Sequence, residues 1–249
     1  MFLNIKLRKY ISEKVAHAPN AVYNKNIDYV IQYQRTRGES RMFRKSFWSV
    51  FVLGIVSVCL LAAVRPMQAQ AKNTVIVIDP GHGGTNMGAQ YNGVTEKNIT
   101  FQVASAMYQE LSQFEGVTVY MTRTADTDLS LQQRADFAKS VGADFLFCIH
   151  FNASNSHRLY GSEVWVSAFD KYYAKGASFG ILEENELSAL GIYSRGVKTK
   201  LNDAGTADYY GIINSCRKAG IPSAIIEHCH IDNLRDSAFY SNAAAYTAL

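Results

Sequence analysis

The sequence of 249 residues predicts an α/β domain in which a mostly parallel sheet carries helices on both faces. Short apolar runs at residues 74–78 and 145–149 are typical of strands that are covered on both sides. Stretches with helical spacing separate the apolar runs, and alternating strands and helices favour parallel pairing. With 48% apolar and 18% charged residues, the chain can bury one sizeable core.

The predicted elements follow one another from residue 72 onward. Apolar positions three and four apart, among them Ile99, Val103 and Leu111, predict the first helix. Asp128 and Ser130 are the candidate N-caps of the second helix. The full set is strand 74–78, helix 98–114, strand 117–121, helix 129–141, strand 144–149, strand 161–167, helix 179–190, strand 209–213, strand 221–227 and a last helix from about residue 236.

The positive charge of the chain is concentrated at its N-terminus. Residues 1–46 contain ten Lys/Arg and three Asp/Glu, whereas residues 47–249 contain fifteen and eighteen. The part expected to fold is therefore mildly acidic, which argues against a basic groove for nucleic acid. We interpret residues 1–46 as a basic cytoplasmic tail and assign it no fold.

Residues 47–64 form an uncharged run of 18 residues, preceded by Arg41, Arg44 and Lys45. This pattern predicts either a retained transmembrane anchor or a signal peptide, because Ala69 and Ala71 fit an A-x-A cleavage site at the end of segment 47–71. A buried core helix is the remaining alternative. Both membrane interpretations place the N-terminus in the cytoplasm and residues 72–249 outside it, in the cell envelope.

Four side chains with catalytic or ligand chemistry lie at the ends of predicted strands or, in one case, just before a predicted helix. His82 lies in the motif DPGHGG after the first strand, His150 directly follows strand 144–149, and Glu227 ends the last strand. Glu96 lies between the two histidines in the sequence, just before the first helix. Open α/β sheets bind ligands at the carboxyl ends of their strands, so we expect these residues to converge on one edge.

Three of these residues match the ligand set of a catalytic zinc site. Such a site has three protein ligands and leaves a fourth position for water. His82, Glu96 and His150 meet this requirement, while hydrogen-bonded structural histidines are the alternative. We expect Cys148 and Cys229 to be core thiols, with soft metal ligation as the alternative.

Three other motifs are excluded by the sequence. The glycine loop does not fit a dinucleotide-binding motif, because Asn86 stands where the third glycine of G-x-G-x-x-G belongs, and the P-loop motif is absent. H-E-x-x-H is also absent, which excludes a zinc-protease site carried on a helix.

The ordered motifs DPGHGG, Glu96, IHFNAS, SRGVK at 194–198 and IPSAIIEHCHIDN closely resemble the zinc-dependent N-acetylmuramoyl-L-alanine amidase family, which cuts peptidoglycan. The resemblance extends from about Thr74 to the C-terminus. It implies that His82, Glu96 and His150 are zinc ligands and that Glu227 is the catalytic acid/base.

The resemblance also implies a reaction. A zinc-activated water would hydrolyse the amide bond between the lactyl group of N-acetylmuramic acid and L-alanine, with Glu227 as general base and then general acid. Two alternatives stay open. One is another zinc hydrolase of the envelope, such as a deacetylase or a peptidase, and the other is a non-catalytic wall-binding module.

Further residues near the motifs have two interpretations each. Asn152 is expected to hold substrate or a loop. Arg195 is expected to bind a substrate carboxylate or a glycan edge, against an ordinary surface salt bridge. Asp79 either orients the loop of His82 or merely initiates the turn before Pro80.

The chain departs from the family after Glu227, where it has His228, Cys229 and His230. Strand alternation directs His228 away from Glu227 and Cys229 toward its face. We expect His230 to belong to a loop, with contact to substrate as the lesser alternative.

Overall fold

A six-stranded sheet organises residues 73–249, the part of the chain that the computed structural model describes. The strands are β1 (Thr74–Pro80), β2 (Gln90–Tyr91), β3 (Val94–Thr95), β4 (Val117–Met121), β5 (Phe145–Asn152), β6 (Ser162–Val166), β7 (Ser194–Lys198) and β8 (Ser223–His230). The helices are α1 (Glu96–Leu111), α2 (Leu131–Ser140), α3 (Asp170–Ala189), α4 (Gly211–Ala219) and α5 (Ala243–Ala248), with a 3₁₀ helix at Ser237–Tyr240.

The strand order in the large sheet is β4-β1-β5-β8-β6-β7, and β2 pairs with β3 in a separate hairpin. The first four strands in this order are parallel neighbours. β6 is antiparallel to β8, and β7 is parallel to β6. The predicted mostly parallel sheet is therefore confirmed, and the carboxyl ends of β1, β5 and β8 lie at the same edge.

Helices pack on both faces of the sheet because the central strands are apolar on both sides. Leu146 and Cys148 of β5 are buried in a cluster with residues of α2 and α4. The alternate residues Phe145 and Phe147 contact the ring of Phe179 on α3, with ring centroids 4.5 and 5.3 Å apart. Because successive side chains of a strand point to opposite faces, β5 contributes to both core layers.

The strand predicted at residues 209–213 is wrong. The segment enters helix α4, on which Ile212, Ile213 and Cys216 are buried. Two adjacent isoleucines fit a short buried strand as well as one face of a helix, so the apolar run alone does not distinguish them. The helix ends at Gly220, whose left-handed φ of 88° is typical of a helix C-terminus.

Other differences arise where packing outweighs local propensity. The third helix begins at Asp170, well before residue 179, and includes two glycines that disfavour helix in isolation. Gly176 and Gly180 lie against β-strands, because an added Cβ would come within 2.8 Å of Val166 and 2.9 Å of Val197 respectively. The edge strand β7 and the β2–β3 hairpin were not predicted, because neither segment has the alternating apolar and polar residues that indicate a strand.

Among residues 73–249, no helix is both long and apolar enough to cross a membrane. The predicted basic tail 1–46, the apolar run 47–64 and the cleavage pattern ending at Ala71 lie outside the described residues.

The start of α2 confirms one of the two predicted caps. The Ser130 hydroxyl accepts from the Gln133 backbone N–H at 3.2 Å, and the Gln133 Oε1 accepts from the Ser130 backbone N–H at 2.8 Å. This reciprocal pair is a capping box. Asp128 instead accepts from the backbone N–H and the hydroxyl of Thr85, in the loop after β1.

Replacing the cap tests this description of α2. Ser130→Ala should lower the free energy of unfolding by about 1 kcal/mol, because a backbone N–H at the helix start loses its partner. Denaturant unfolding followed by circular dichroism measures the change. Ser140→Ala is the control, since that hydroxyl only donates to the Phe137 carbonyl, and we expect a change within about 0.5 kcal/mol. Equal losses in both variants would contradict the capping role.

Candidate metal centre and active site

The loop that follows β1 positions His82 by a close approach to β5. Gly81 donates its backbone N–H to the Ile149 carbonyl at 2.9 Å. A Cβ at Gly81 would lie 2.5 Å from the ring of His150, so only glycine fits beside that ring. His82 itself has a left-handed φ of 61°, an uncommon conformation for a residue with a side chain. Gly81 of the DPGHGG motif therefore allows the loop that carries His82 to lie close to His150.

Two buried arginines stabilise this loop by donating hydrogen bonds to its carbonyl groups. Arg134 of α2 pairs with Asp79 at 2.6 Å and donates to the carbonyls of Pro80 and His82 at 2.9 and 2.7 Å. Arg123 donates to the Pro80 and Gly81 carbonyls, each at 3.1 Å. Asp79 thus contacts the loop through Arg134, which agrees with the orienting interpretation of this residue. The sequence motif gave no indication of either arginine.

His82, Glu96 and His150 come together at the carboxyl edge of the sheet. The Nε2 of His82 lies 3.0 Å from one carboxylate oxygen of Glu96, and the Nδ1 of His150 lies 2.9 Å from the other. One potential ligand atom from each residue lies within 4.8 Å of the other two. The expected convergence of these three side chains is therefore present in the structure.

Backbone and side-chain contacts fix the orientation of these groups. Glu96 lies in the first turn of α1, where a carboxylate is favourable, and accepts from the backbone N–H groups of Ala89 and Phe151 at 2.8 and 3.1 Å. The Nδ1 of His82 contacts the Oδ1 of Asn86 at 2.9 Å. In zinc sites the second ring nitrogen of a ligand histidine commonly has such an oxygen partner. The donor set and its surroundings thus fit a zinc ion.

The electrostatics of the group favour a cation between these ligands. Burial on its own would raise the pKa of Glu96, but the hydrogen bonds from His150 and His82 outweigh it and hold that pKa well below its usual range. Burial opposes the charged form of His150, but the carboxylates of Glu96 and Glu227 raise its pKa. An anionic carboxylate buried between two imidazoles requires positive charge, which protons or a metal ion can supply.

Glu227 lies on β8 beside the histidine–glutamate group. In the strand register it is opposite His150 on one side and Glu163 on the other. Its Oε2 is buried and has no hydrogen-bond partner among the described residues. Burial raises the pKa of Glu227 to about 7, opposed by the positive charge of His150 and supported by the negative charges of Glu96 and Glu163. A carboxyl group with this pKa can accept and release a proton near neutral pH.

Asn152 and Arg195 meet at a residue that the sequence did not single out. The side-chain amide of Asn152 donates to Glu163 at 2.9 Å, and the Nε of Arg195 donates to the other oxygen of Glu163, also at 2.9 Å. Lys198 pairs with the same carboxylate. Glu163 is a single polar residue within the predicted strand 161–167 and belongs to no recognisable motif. No sequence signal therefore indicated it.

The three residues that follow Glu227 are buried and pack inside the domain. His228 is buried and stacks on Phe151, with ring centroids 5.4 Å apart, and burial lowers its pKa to about 4. The prediction that His230 belongs to a loop is wrong, because His230 ends β8 and is buried with its Nδ1 3.1 Å from the Gly161 carbonyl. Cys148 and Cys229 are buried core thiols, as predicted.

The fold and the site together define a class: an α/β protein with a histidine–glutamate–histidine ligand group and an adjacent buried glutamate at the carboxyl edge of its sheet. The chain belongs to the N-acetylmuramoyl-L-alanine amidase family, whose sequence model matches residues 76–249.

Individual proteins support this assignment. The chain is 31% identical over 176 residues to the N-acetylmuramoyl-L-alanine amidase CwlM of Bacillus licheniformis, covering 68% of this chain and 61% of that protein. Cwp6 from Clostridium difficile is 28% identical, with a TM-score of 0.65 over 72% of this chain and 28% of that one. AmiC2 of Nostoc punctiforme is 26% identical, with a TM-score of 0.60 over 71% and 90%. The chain thus spans less than two thirds of the Bacillus licheniformis protein.

A pair of glycine variants tests how the loop supports the ligands. Gly88 and Gly93 both have left-handed φ values, 66° and 78°. A Cβ at Gly88 would lie 2.6 Å from Glu96 Oε2 and from the His82 ring, whereas a Cβ at Gly93 would contact nothing within 4 Å. We expect Gly88→Ala to lower the affinity for added zinc about tenfold or more, measured by chelator competition.

Gly93→Ala is the matched control, because it has the same backbone strain without the contact. It should bind zinc with the affinity of the original chain. Equal effects of the two substitutions on zinc affinity would show that backbone strain, and not displacement of Glu96 and His82, is responsible.

Proposed function

We propose that the described domain hydrolyses the amide bond between the lactyl group of N-acetylmuramic acid and L-alanine in peptidoglycan. The observation that carries this proposal is the convergence of His82, Glu96 and His150 beside Glu227, in a chain of the amidase family. CwlM of Bacillus licheniformis and AmiC2 of Nostoc punctiforme are N-acetylmuramoyl-L-alanine amidases, and the three converging side chains supply a place for the same chemistry here.

His82, Glu96 and His150 would hold a zinc ion. When bound, zinc supplies a Lewis acid that makes water nucleophilic at neutral pH and stabilises negative charge on an attacked carbonyl oxygen. The protein's part is to present two imidazoles and one carboxylate in a fixed arrangement. Asn86 and the backbone N–H groups around Glu96 maintain that arrangement, since they contact the ligands without belonging to the ligand set.

Glu227 would move the proton that amide hydrolysis requires. The residue is partly exposed, and its buried Oε2 has no hydrogen-bond partner among residues 73–249, so no protein group with a defined hydrogen bond competes for that oxygen. As general base the carboxylate would accept a proton from the attacking water. As general acid it would then protonate the nitrogen of L-alanine, because an amine leaves poorly without that proton.

Asn152 and Arg195 both donate hydrogen bonds to Glu163, which is opposite Glu227 in the sheet. We propose that these two side chains contact the substrate. Peptidoglycan as substrate places the domain outside the cytoplasm, in agreement with residues 47–64 acting as an anchor or as part of a signal peptide. The N-terminal tail would then remain on the cytoplasmic side.

Digestion of purified peptidoglycan with and without a chelator tests the proposed reaction. We expect release of stem peptides with a new L-alanine amino terminus, loss of this product in the presence of the chelator, and its return when zinc is added. Mass spectrometry of the products distinguishes this bond from the others. New amino termini within the stem peptide, or loss of acetyl groups from the glycan, would contradict the assignment.

Glu227→Gln tests the proton-transfer role. The amide has nearly the same size as the carboxylate but cannot exchange the proton, so kcat should fall about 10²- to 10⁴-fold. The zinc content, measured by elemental analysis, should stay at that of the original chain. His82→Ala is the complementary variant and should lose zinc as well as activity. Full activity of Glu227→Gln would end its assignment as acid/base.

A further inference from the structure

A β-bulge in the edge strand β7 places two basic side chains on the same face. The register with β6 runs from Ser162 opposite Ser194 to Val164 opposite Val197, so β7 has one extra residue between these pairs. In a regular strand, residues 195 and 198 would point to opposite faces. The extra residue reverses this alternation, and it falls beside Gly196, whose left-handed φ of 80° is one that glycine adopts readily.

Both basic side chains meet at Glu163, which is 5% exposed. One oxygen of this carboxylate accepts from Asn152 at 2.9 Å and from the indole N–H of Trp165 at 3.0 Å. The other accepts from Arg195 at 2.9 Å and from Lys198. Four donors on one carboxylate fix its position, so Glu163 holds the two cations in place.

This basic cluster of Glu163, Arg195 and Lys198 lies on the side of Glu227. Glu163 is directly opposite Glu227 in the antiparallel pair of β6 and β8. Side chains that are opposite each other in such a pair share a face and lie about 5 Å apart at Cβ. The bulge therefore places Arg195 and Lys198 on the face of the sheet that carries Glu163 and Glu227.

The cluster has hydrogen-bonding capacity beyond what its own contacts use. Within the cluster two cations face one carboxylate, and Glu227 on the neighbouring strand is a further acidic side chain on that face. Among residues 73–249, Arg195 donates only through Nε, although a guanidinium has five N–H donors. The side chains of Arg195 and Lys198 are 25% and 29% exposed, so a ligand can reach them from solvent.

We propose that Arg195 and Lys198 form a subsite for a carboxylate of the substrate's peptide, with Glu163 as the positioning residue. This inference rests on the proposed function. Glu227 would protonate the departing amine, so the peptide lies beside Glu227 and next to the cluster. The sugar carries hydroxyl and acetamido groups, and its lactyl carboxyl is consumed in the amide, so the anionic groups of this substrate belong to the peptide.

Two synthetic muramoyl peptides test the subsite. They share the bond between the lactyl group and L-alanine and differ only in the next residue, whose α-carboxyl group is free in one and amidated in the other. Calorimetry with the zinc-loaded Glu227→Gln variant gives both dissociation constants without turnover, and kinetics with the original chain give both KM values. We expect the free carboxylate to bind about tenfold more tightly.

Variants of the cluster should remove this preference. The double substitution Arg195→Gln with Lys198→Met should bring the ratio of the two constants close to one, mainly through weaker binding of the carboxylate peptide. Glu163→Gln should reduce the ratio several-fold while leaving both basic residues present. A merely structural role for the cluster would change both peptides equally and leave the ratio unaltered.

Arg217→Gln is the matched control. Arg217 lies on α4 and is 21% exposed, and its Nε pairs at 2.9 Å with Asp208, which does not belong to the cluster. It should keep the tenfold preference. A ratio near one in the original chain, an unchanged ratio in the double variant, or no binding of either peptide would overturn the subsite. Failure of the original chain to cleave either peptide would contradict the proposed function, while the binding ratio would still decide the subsite.

Discussion

The contact of the Glu96 carboxylate with His82 and His150 is the interaction on which the rest of the site depends. Each carboxylate oxygen lies about 3 Å from one imidazole nitrogen, and each also accepts a backbone N–H. Burial of such a charge is unfavourable unless it is paired and hydrogen-bonded. The two histidines come from the ends of β1 and β5, so this one carboxylate joins two strand ends to the start of α1.

The close approach of these strand ends depends on buried charged side chains that contact the loop after β1. Arg134 donates to the carbonyl groups of Pro80 and His82, and Arg123 donates to those of Pro80 and Gly81, where the Thr100 hydroxyl is a further donor. Asp79 in turn neutralises Arg134, and removal of one member of such a buried pair commonly costs about 3–5 kcal/mol. The loop geometry and the stability of the domain are therefore coupled, because the residues that orient His82 also satisfy buried charge.

The sequence predicted the central strands and the principal site residues, because both have local signatures. Buried strands give apolar runs, and DPGHGG and the residues around His150 and Glu227 are recognisable motifs. The errors lie where tertiary contacts decide: α3 contains glycines that pack on Val166 and Val197, and α4 begins with an apolar pair that also fits a strand. Glu163 and the bulge at Gly196 escaped prediction because they depend on strand pairing.

Anomalous diffraction at the zinc absorption edge, from crystals of residues 72–249 grown with zinc, would test the central claim most directly. The geometry described above predicts one strong peak within bonding distance of His82, Glu96 and His150, with Glu227 beside it and not among the ligands. A peak bound elsewhere, or zinc bound by Glu227 in place of one of the three, would contradict the proposed metal centre.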